Sequence, residues 1–369
     1  MIYLDYAATT PVDKEIKELR NKIEDDFFAS YNSLHFLGGE SRALFLKNKE
    51  EVLALLNLKN HDLVLTQNAT QANNLAIRGY TDSKNGNVVT TKLEHASVAN
   101  VFSNLKGVEV RYVNSLPDGT IDIEDLKTKV DKNTILVSVM WVNNITGSIL
   151  PIKEVIEVVK KYPRAKLHVD MVQGFGKTPL TFSLNDIDFF TFSLHKIYGP
   201  KGIGGLFFNK SLSLSPIING SMGTIPLMPG TQDTFSMVAI NTLFKKYVVN
   251  PGHLEHVKKL WLRLNDYCAN DEHFLVNSCL KNSSFYVYNV SVKNHPSQTT
   301  VNYLSSKGIM ISAGAACSSK KIYDKVIYEL FKDEMRASEC VRISFSYLTT
   351  LEEIDELIKA FKEYTCKNS

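Results

Sequence analysis

Hydrophobic and polar positions along this chain switch between two periods. Ile16, Leu19, Ile23 and Phe27 recur at the three- and four-residue spacing of one helix face, and a second amphipathic segment follows before a short apolar run at 63–65. Further short runs rich in β-branched and aromatic residues come at 88–90, 108–113, 135–142, 167–172, 189–194 and 205–208, most separated by helical patterns such as 152–162. Near-continuous apolar strands alternating with amphipathic helices predict an α/β fold with a mostly parallel sheet covered on both faces. From about residue 250 the texture changes to longer helices interleaved with shorter strands, 285–290 and 341–345 among them, which predicts a smaller α+β domain at the C-terminal end. The Pro251-Gly252 pair reads either as the boundary or as an ordinary turn.

Composition narrows the partners. A length of 369 residues suits one large domain and a smaller one. Lys and Arg total 42 against 39 Asp and Glu, with no long block of one sign, and only eight of the basic residues are arginine. No nucleic acid partner is therefore expected. The longest apolar stretch, near 135–142, falls far short of the ~18 residues of a bilayer span, and Asp5 sits where a signal peptide is apolar, so the expectation is a soluble, unexported protein without a membrane partner. The five cysteines, at 268, 279, 317, 340 and 366, include no C-x-x-C pair. That pattern predicts neither a disulfide framework nor a metal site, and it suits the reducing cytoplasm.

Candidate chemistry collects just after the predicted strands, where parallel sheets carry their sites. Ser193 to Gly202 follows one strand and holds His195 and Lys196; a lysine there either forms a Schiff base with an aldehyde cofactor or is an ordinary surface lysine. The strand before it ends in Asp170 with Gln173 three residues on, a carboxylate and an amide suited to a pyridine nitrogen and a phenolic oxygen; helix capping is the alternative for Asp170. Ala69 and Thr70 stand where a strand enters a helix, a place that binds phosphate or is simply capped by Thr70. His95, after Glu94, is either functional or a plain loop histidine.

Taken together, Tyr3-Leu4-Asp5-Tyr6-Ala7-Ala8-Thr9-Thr10-Pro11, Ala69-Thr70, Glu94-His95, Asn143-Asn144, His168-Val169-Asp170, Gln173 and Ser193 through Gly204 resemble the cysteine desulfurases, fold-type I pyridoxal phosphate enzymes of the class V aminotransferase group. Residues 312–319, which contain Cys317, and 341–355, which contain Arg342, extend the resemblance to nearly the whole chain. It implies a large cofactor-binding domain over 14–250 and a small domain made of 1–13 and 251–369. It further implies Lys196 as Schiff-base lysine, Asp170 as partner of the pyridinium, Gln173 at the phenolic oxygen and His95 stacked on the ring and moving protons. Ala69, Thr70, Ser193 and His195 match the phosphate site, and Thr231 matches a threonine that reaches the phosphate of the other subunit of a homodimer. Asn144 and Arg342 match groups that hold the substrate carboxylate, Asn144 beside the cofactor, and Cys317 matches the nucleophile that takes sulfur from L-cysteine, leaving L-alanine and a persulfide.

The implied partner is a sulfur-acceptor protein, such as an iron–sulfur scaffold or one serving tRNA or cofactor thiolation. Selenocysteine lyases and other members of the group share the scaffold, and a non-catalytic protein of the same fold is a further alternative. The chain departs from the family pattern at Met228 and Pro229, where arginine and serine are usual, at Ile145 and Gln71, where acids are usual, and at Asn68, where glycine is usual.

Overall fold

The computed structural model describes residues 1–220, 227–249, 252–314 and 323–366. After a two-residue strand β1 (Ile2–Tyr3), seven strands build one sheet: β2 (His61–Thr66), β3 (Gly86–Thr91), β4 (Val108–Val113), β5 (Thr134–Met140), β6 (Lys166–Asp170), β7 (Phe189–Ser193) and β8 (Gly204–Asn209). Their order is β2-β8-β7-β6-β5-β3-β4, and only β8 runs antiparallel to its neighbours. The mostly parallel sheet expected from the pattern is thus present.

Alternation within the strands shows why both faces are covered. Leu63, Val89, Val137, Phe190 and Phe207 enter one apolar cluster, while their neighbours Val64, Val88, Leu136, Phe189 and Leu206 enter another on the opposite face. Every residue of β5 is buried, so its sequence TILVSVM carries no polar-out alternation. Strand ends differ from the sequence pattern by a few residues, for local reasons. β6 stops at Asp170 because its carboxylate turns back onto the Val172 N–H at 3.0 Å. The helix expected over 152–162 is Ile152–Val159, and Pro163 follows its last turn. The strand expected at 285–290 is displaced to 287–292, since Phe285 has a φ of 62° and is not extended.

A second sheet of four short strands contains β9 (Phe274–Val276), β10 (Val287–Val292), β12 (Ser312–Ala313) and β13 (Cys340–Ser344), after β11 (Ile309–Met310) has paired with β1. All pairs within it are antiparallel. Its core joins Leu4 to Trp261, Tyr288, Phe345 and Phe361, with helices Leu254–Ala269 and Leu351–Cys366 contributing their buried faces. The first thirteen residues connect the two cores. Leu4 donates its N–H to Met310 of β11 and its carbonyl accepts from Ser344 in the second sheet, while Thr10 and Asp13 donate their backbone N–H groups to His195 and Tyr198 beside the first.

Candidate active site

Five strand ends of the first sheet open into one cavity of about 530 Å³. β2 leads to Asn68, Ala69 and Thr70, β3 to His95, β5 to Asn144, β6 to Asp170 and Gln173, and β7 to Ser193, His195 and Lys196. Ala7 and Ala8 close it from the N-terminal segment, and Ser312, Gly314 and Arg342 from the second sheet. Eleven of the twelve residues singled out above lie in the described part of the chain, and ten of these line this cavity. Thr231 does not: it is exposed on a loop beside Gln67 and Gln71. Cys317 lies outside the described residues; Gly314, at the cavity wall, precedes it by three positions.

Lys196 ends a 3-10 turn directly after β7, and its Nζ donates to the carbonyls of Ala7 at 2.6 Å and Ala8 at 2.7 Å. Burial, with the Arg342 charge adding to it, pushes its pKa down to about 8, and Asp5 and Asp170 oppose that shift. A substantial neutral fraction at physiological pH follows, which is the nucleophilic form.

Asp170 is buried at the last position of β6. Its Oδ1 accepts from the Val172 N–H within a turn and caps no helix, while its Oδ2 accepts from Asn73 Nδ2 at 3.0 Å. Asn73 was not evident in the sequence as a site residue. Its amide orientation is set by Thr191, whose Oγ1 donates to Asn73 Oδ1 at 2.7 Å. The same Nδ2 donates to Ser97 Oγ at 2.9 Å, which stands 2.8 Å from His95 Nδ1. Because the Ser97 backbone N–H also points at His95 Nδ1, at 3.1 Å, that nitrogen accepts and the ring proton belongs on Nε2. His95 caps the helix Ala96–Ser103, and burial holds its pKa below the usual imidazole value against the pull of Asp170.

The phosphate-type groups are less engaged. Ser193 Oγ is buried and has no hydrogen-bond partner among the described residues. His195 meets Thr9 Oγ1 at 3.2 Å, and burial together with Lys196, Lys177 and Lys201 depresses its pKa to about 4. Thr70 is not the cap of helix Ala69–Thr81; Asn68 is, accepting from Gln71 N at 3.0 Å, while Gln71 Oε1 accepts from Gln67 N at 2.8 Å. Two of the departures from the family pattern therefore make a reciprocal cap that leaves Thr70 facing the cavity. Gly204 permits this turn to sit against β8, since a Cβ there would lie 2.7 Å from the Asn68 carbonyl carbon. A third departure, Ile145, packs with Leu93, Val326, Ile327 and Leu330.

Arg342 reaches in from β13. It donates to the Asn144 carbonyl at 3.1 Å, to Asp5 Oδ1 at 3.1 Å and to Ser312 Oγ at 3.2 Å, and its buried Nε has no partner among the described residues. Glu94, next to His95, is fully buried; its Oε1 accepts from Thr91 and from the Met140 N–H, and burial raises its pKa to about 8. Lys196, Lys177 and Arg342 thus gather positive charge near the cavity, with Asp170 and Asp5 as the carboxylates acting on Lys196. The arrangement suits an anionic ligand with a carbonyl to present to the amine.

The class-V aminotransferase family model matches residues 2–357. The cysteine desulfurase IscS of Buchnera aphidicola subsp. Baizongia pistaciae is 33% identical over 372 residues, 97% of this chain and 91% of that protein. Among solved structures, a NifS-like protein is 29% identical with a TM-score of 0.91 over 99% of both chains. SspA, solved in complex with cysteine, is 26% identical with a TM-score of 0.79 over 95% of this chain and all of that one. Proteins of this family depend on pyridoxal phosphate. With a family model spanning almost the whole chain and a full-length relative at one-third identity, this chain belongs to the class-V aminotransferases, in their cysteine desulfurase branch.

Proposed function

We propose that the chain is a pyridoxal-phosphate-dependent cysteine desulfurase that moves sulfur from L-cysteine to Cys317 and releases L-alanine. The observation that carries this reading is the convergence of Lys196 with its lowered pKa, the buried carboxylate of Asp170 and the buried hydroxyl of Ser193, which has no partner among the described residues, on one strand-end cavity. These residues fit the cofactor. Ser193, Thr70, His195 and the first-turn N–H groups of helix Ala69–Thr81 offer phosphate donors, and Asp170 offers the carboxylate for a protonated ring nitrogen. Bound there, pyridoxal phosphate supplies an electron sink for bond changes at the substrate's carbons.

The chain's own groups do the rest. Lys196 supplies the amine that holds the cofactor, and His95, with Nδ1 occupied, handles protons at Nε2. Arg342 presents a fork of donors to the substrate carboxylate, with Asn144 beside it. Cys317 takes the sulfur: the substrate carbon–sulfur bond breaks, a sulfur–sulfur bond forms, and the two thiol hydrogens are shared between alanine and the persulfide, so no external oxidant is needed. The cysteine complex of the SspA neighbour supports cysteine as substrate.

Two apolar cores support a division into a cofactor-binding domain over 14–250 and a small domain of 1–13 and 251–369 carrying Cys317. The position of Thr231, away from its own chain's cavity, supports a homodimer in which it serves the partner's phosphate. No helix among the described residues is long and apolar enough to cross a membrane. Free cysteines among the described residues suit a reducing compartment, and the enzyme is read as handing its sulfur there to an acceptor protein. Purified protein given L-cysteine and a thiol reductant is expected to yield alanine and sulfide in equal amounts. Cys317→Ser is expected to keep the cofactor's visible absorbance and its change on adding cysteine, yet to form no persulfide; sulfide release at the wild-type rate would overturn the reading.

A further inference from the structure

Lys177 is a buried cation that the chemistry above does not use. It lies four residues beyond Gln173 in the turns after β6, and none of the ion pairs among the described residues includes it. Its Nζ donates to Gln173 Oε1 at 3.2 Å, and that amide's Nε2 donates to the Ala7 carbonyl at 2.9 Å. Ala7 O is also the acceptor 2.6 Å from Lys196 Nζ. A chain of contacts therefore runs from one lysine to the other through a single side-chain amide.

The polarity of that chain has one solution. A protonated lysine only donates and a backbone carbonyl only accepts, so an amide held between them must turn its oxygen to Lys177 and its N–H₂ to Ala7. Only one of the two N–H bonds is used at Ala7, and Gln173 lines the cavity. We propose that Lys177 is a positioning residue for the cofactor, holding the Gln173 carbonyl so that the amide meets the cofactor's phenolic oxygen as a donor. Without Lys177 the amide's orientation is held only by the Ala7 carbonyl, an acceptor it shares with Lys196, so its donor is held less firmly at the phenolic oxygen. Burial, with the charges of Lys196 and Arg342, brings Lys177 down to about 7, and the negative charge of a bound cofactor opposes that shift and favours the protonated, donor-only form. Lys196 and Arg342 are the cations that act on Lys177, and Asp5 and Asp170 are the carboxylates that act on Lys196.

The inference rests on the cofactor reading above, and one experiment separates the two. Full-length wild type, Lys177→Met and Lys177→Gln are loaded with pyridoxal phosphate, and the visible absorbance is titrated with pH alongside the cofactor affinity. Loss of a donor at the phenolic oxygen makes the neighbouring nitrogen on Lys196 more basic. The midpoint in Lys177→Met is therefore expected to move up by about one pH unit, the scale of one hydrogen bond to a charged group, with cofactor binding about tenfold weaker. Lys177→Gln, whose amide can face Gln173 either way round, is expected to move the midpoint in the same direction by at least about half as much; it stands in if the methionine variant does not fold. A lowered melting temperature with an unmoved midpoint would mean that Lys177 only supports the fold, and the inference would fail while the cofactor reading stood. Failure of the wild type to take up pyridoxal phosphate would overturn both.

Discussion

The two sheets feed the same cavity by different routes. In the seven-stranded sheet, parallel strands bring the ends of β2, β3, β5, β6 and β7 to one edge, and each end continues into a turn that carries site residues. The four-stranded sheet is antiparallel, so successive strand ends fall on opposite edges. Its principal contribution is a mid-strand side chain, Arg342, paired in register with Asn289 on one side and Ser312 on the other. One sheet collects many groups from loops, and the other presents one fork from a rigid strand. The N-terminal segment fixes their relation, since β1 belongs with β11 while Ala7 and Ala8 hold Lys196. Under the proposed function, the cofactor-holding groups fall to the first sheet, and the second adds Arg342 to orient the substrate beside Asn144.

The severest way to break that division is Lys196→Ala, which is expected to remove the cofactor's visible absorbance and to lower activity by more than about a thousandfold. Normal absorbance in this variant would place the cofactor-bearing lysine elsewhere. Arg342→Lys sharpens the other half. A single ammonium cannot reproduce the fork, so KM for cysteine is expected to rise about 10- to 100-fold while the cofactor spectrum stays the same. If the spectrum is lost instead, the second sheet does more than orient substrate.

Smaller effects probe the strand-end turns of the first sheet. Asn68→Ala removes the cap of helix Ala69–Thr81 and is expected to cost about 1 kcal/mol of stability, read as a lower denaturation midpoint. Glu94→Gln tests a buried acid. Burial holds Glu94 at about 8 against an ordinary value of 4.5, so between those values the folded chain keeps a proton that the unfolded chain gives up. Its contribution to stability is complete below the lower value and is lost as pH rises through the upper one. Glutamine keeps an acceptor for Thr91 and Met140 but cannot ionise. Urea midpoints of variant and wild type should agree near the acid end of this window, and the variant should be the more stable above about pH 8. Equal midpoints at both ends would show that Glu94 is not protonated in the fold.

Much of the site was legible because parallel-sheet enzymes use a regular grammar of apolar strand followed by a polar group. Lys196, Asp170, His95 and Thr70 each stand within a few residues of a strand end, and each lines the cavity. The assignment of the cap was less legible. Thr70 and Asn68 are both good capping residues, and only the backbone geometry at Asn68 decides between them. Likewise the displaced start of β10 depends on a positive φ at Phe285, which an apolar aromatic in a strand-like run does not announce.

The sequence by itself determined the fold class, the alternation of buried strands and helices, and the identity of the chemical groups at the strand ends, because those follow from local period and order. Tertiary structure alone decided what surrounds them. Asn73 joins Asp170 across 97 residues and Thr191 across 118, and Gln173 reaches Ala7 across 166. Lys177 reads in the sequence as one more lysine after a turn, yet it is buried with an amide for its partner. Charge state, tautomer and amide orientation depend on burial and on neighbours contributed from distant positions, and those distances close only when both sheets and the N-terminal segment have folded together.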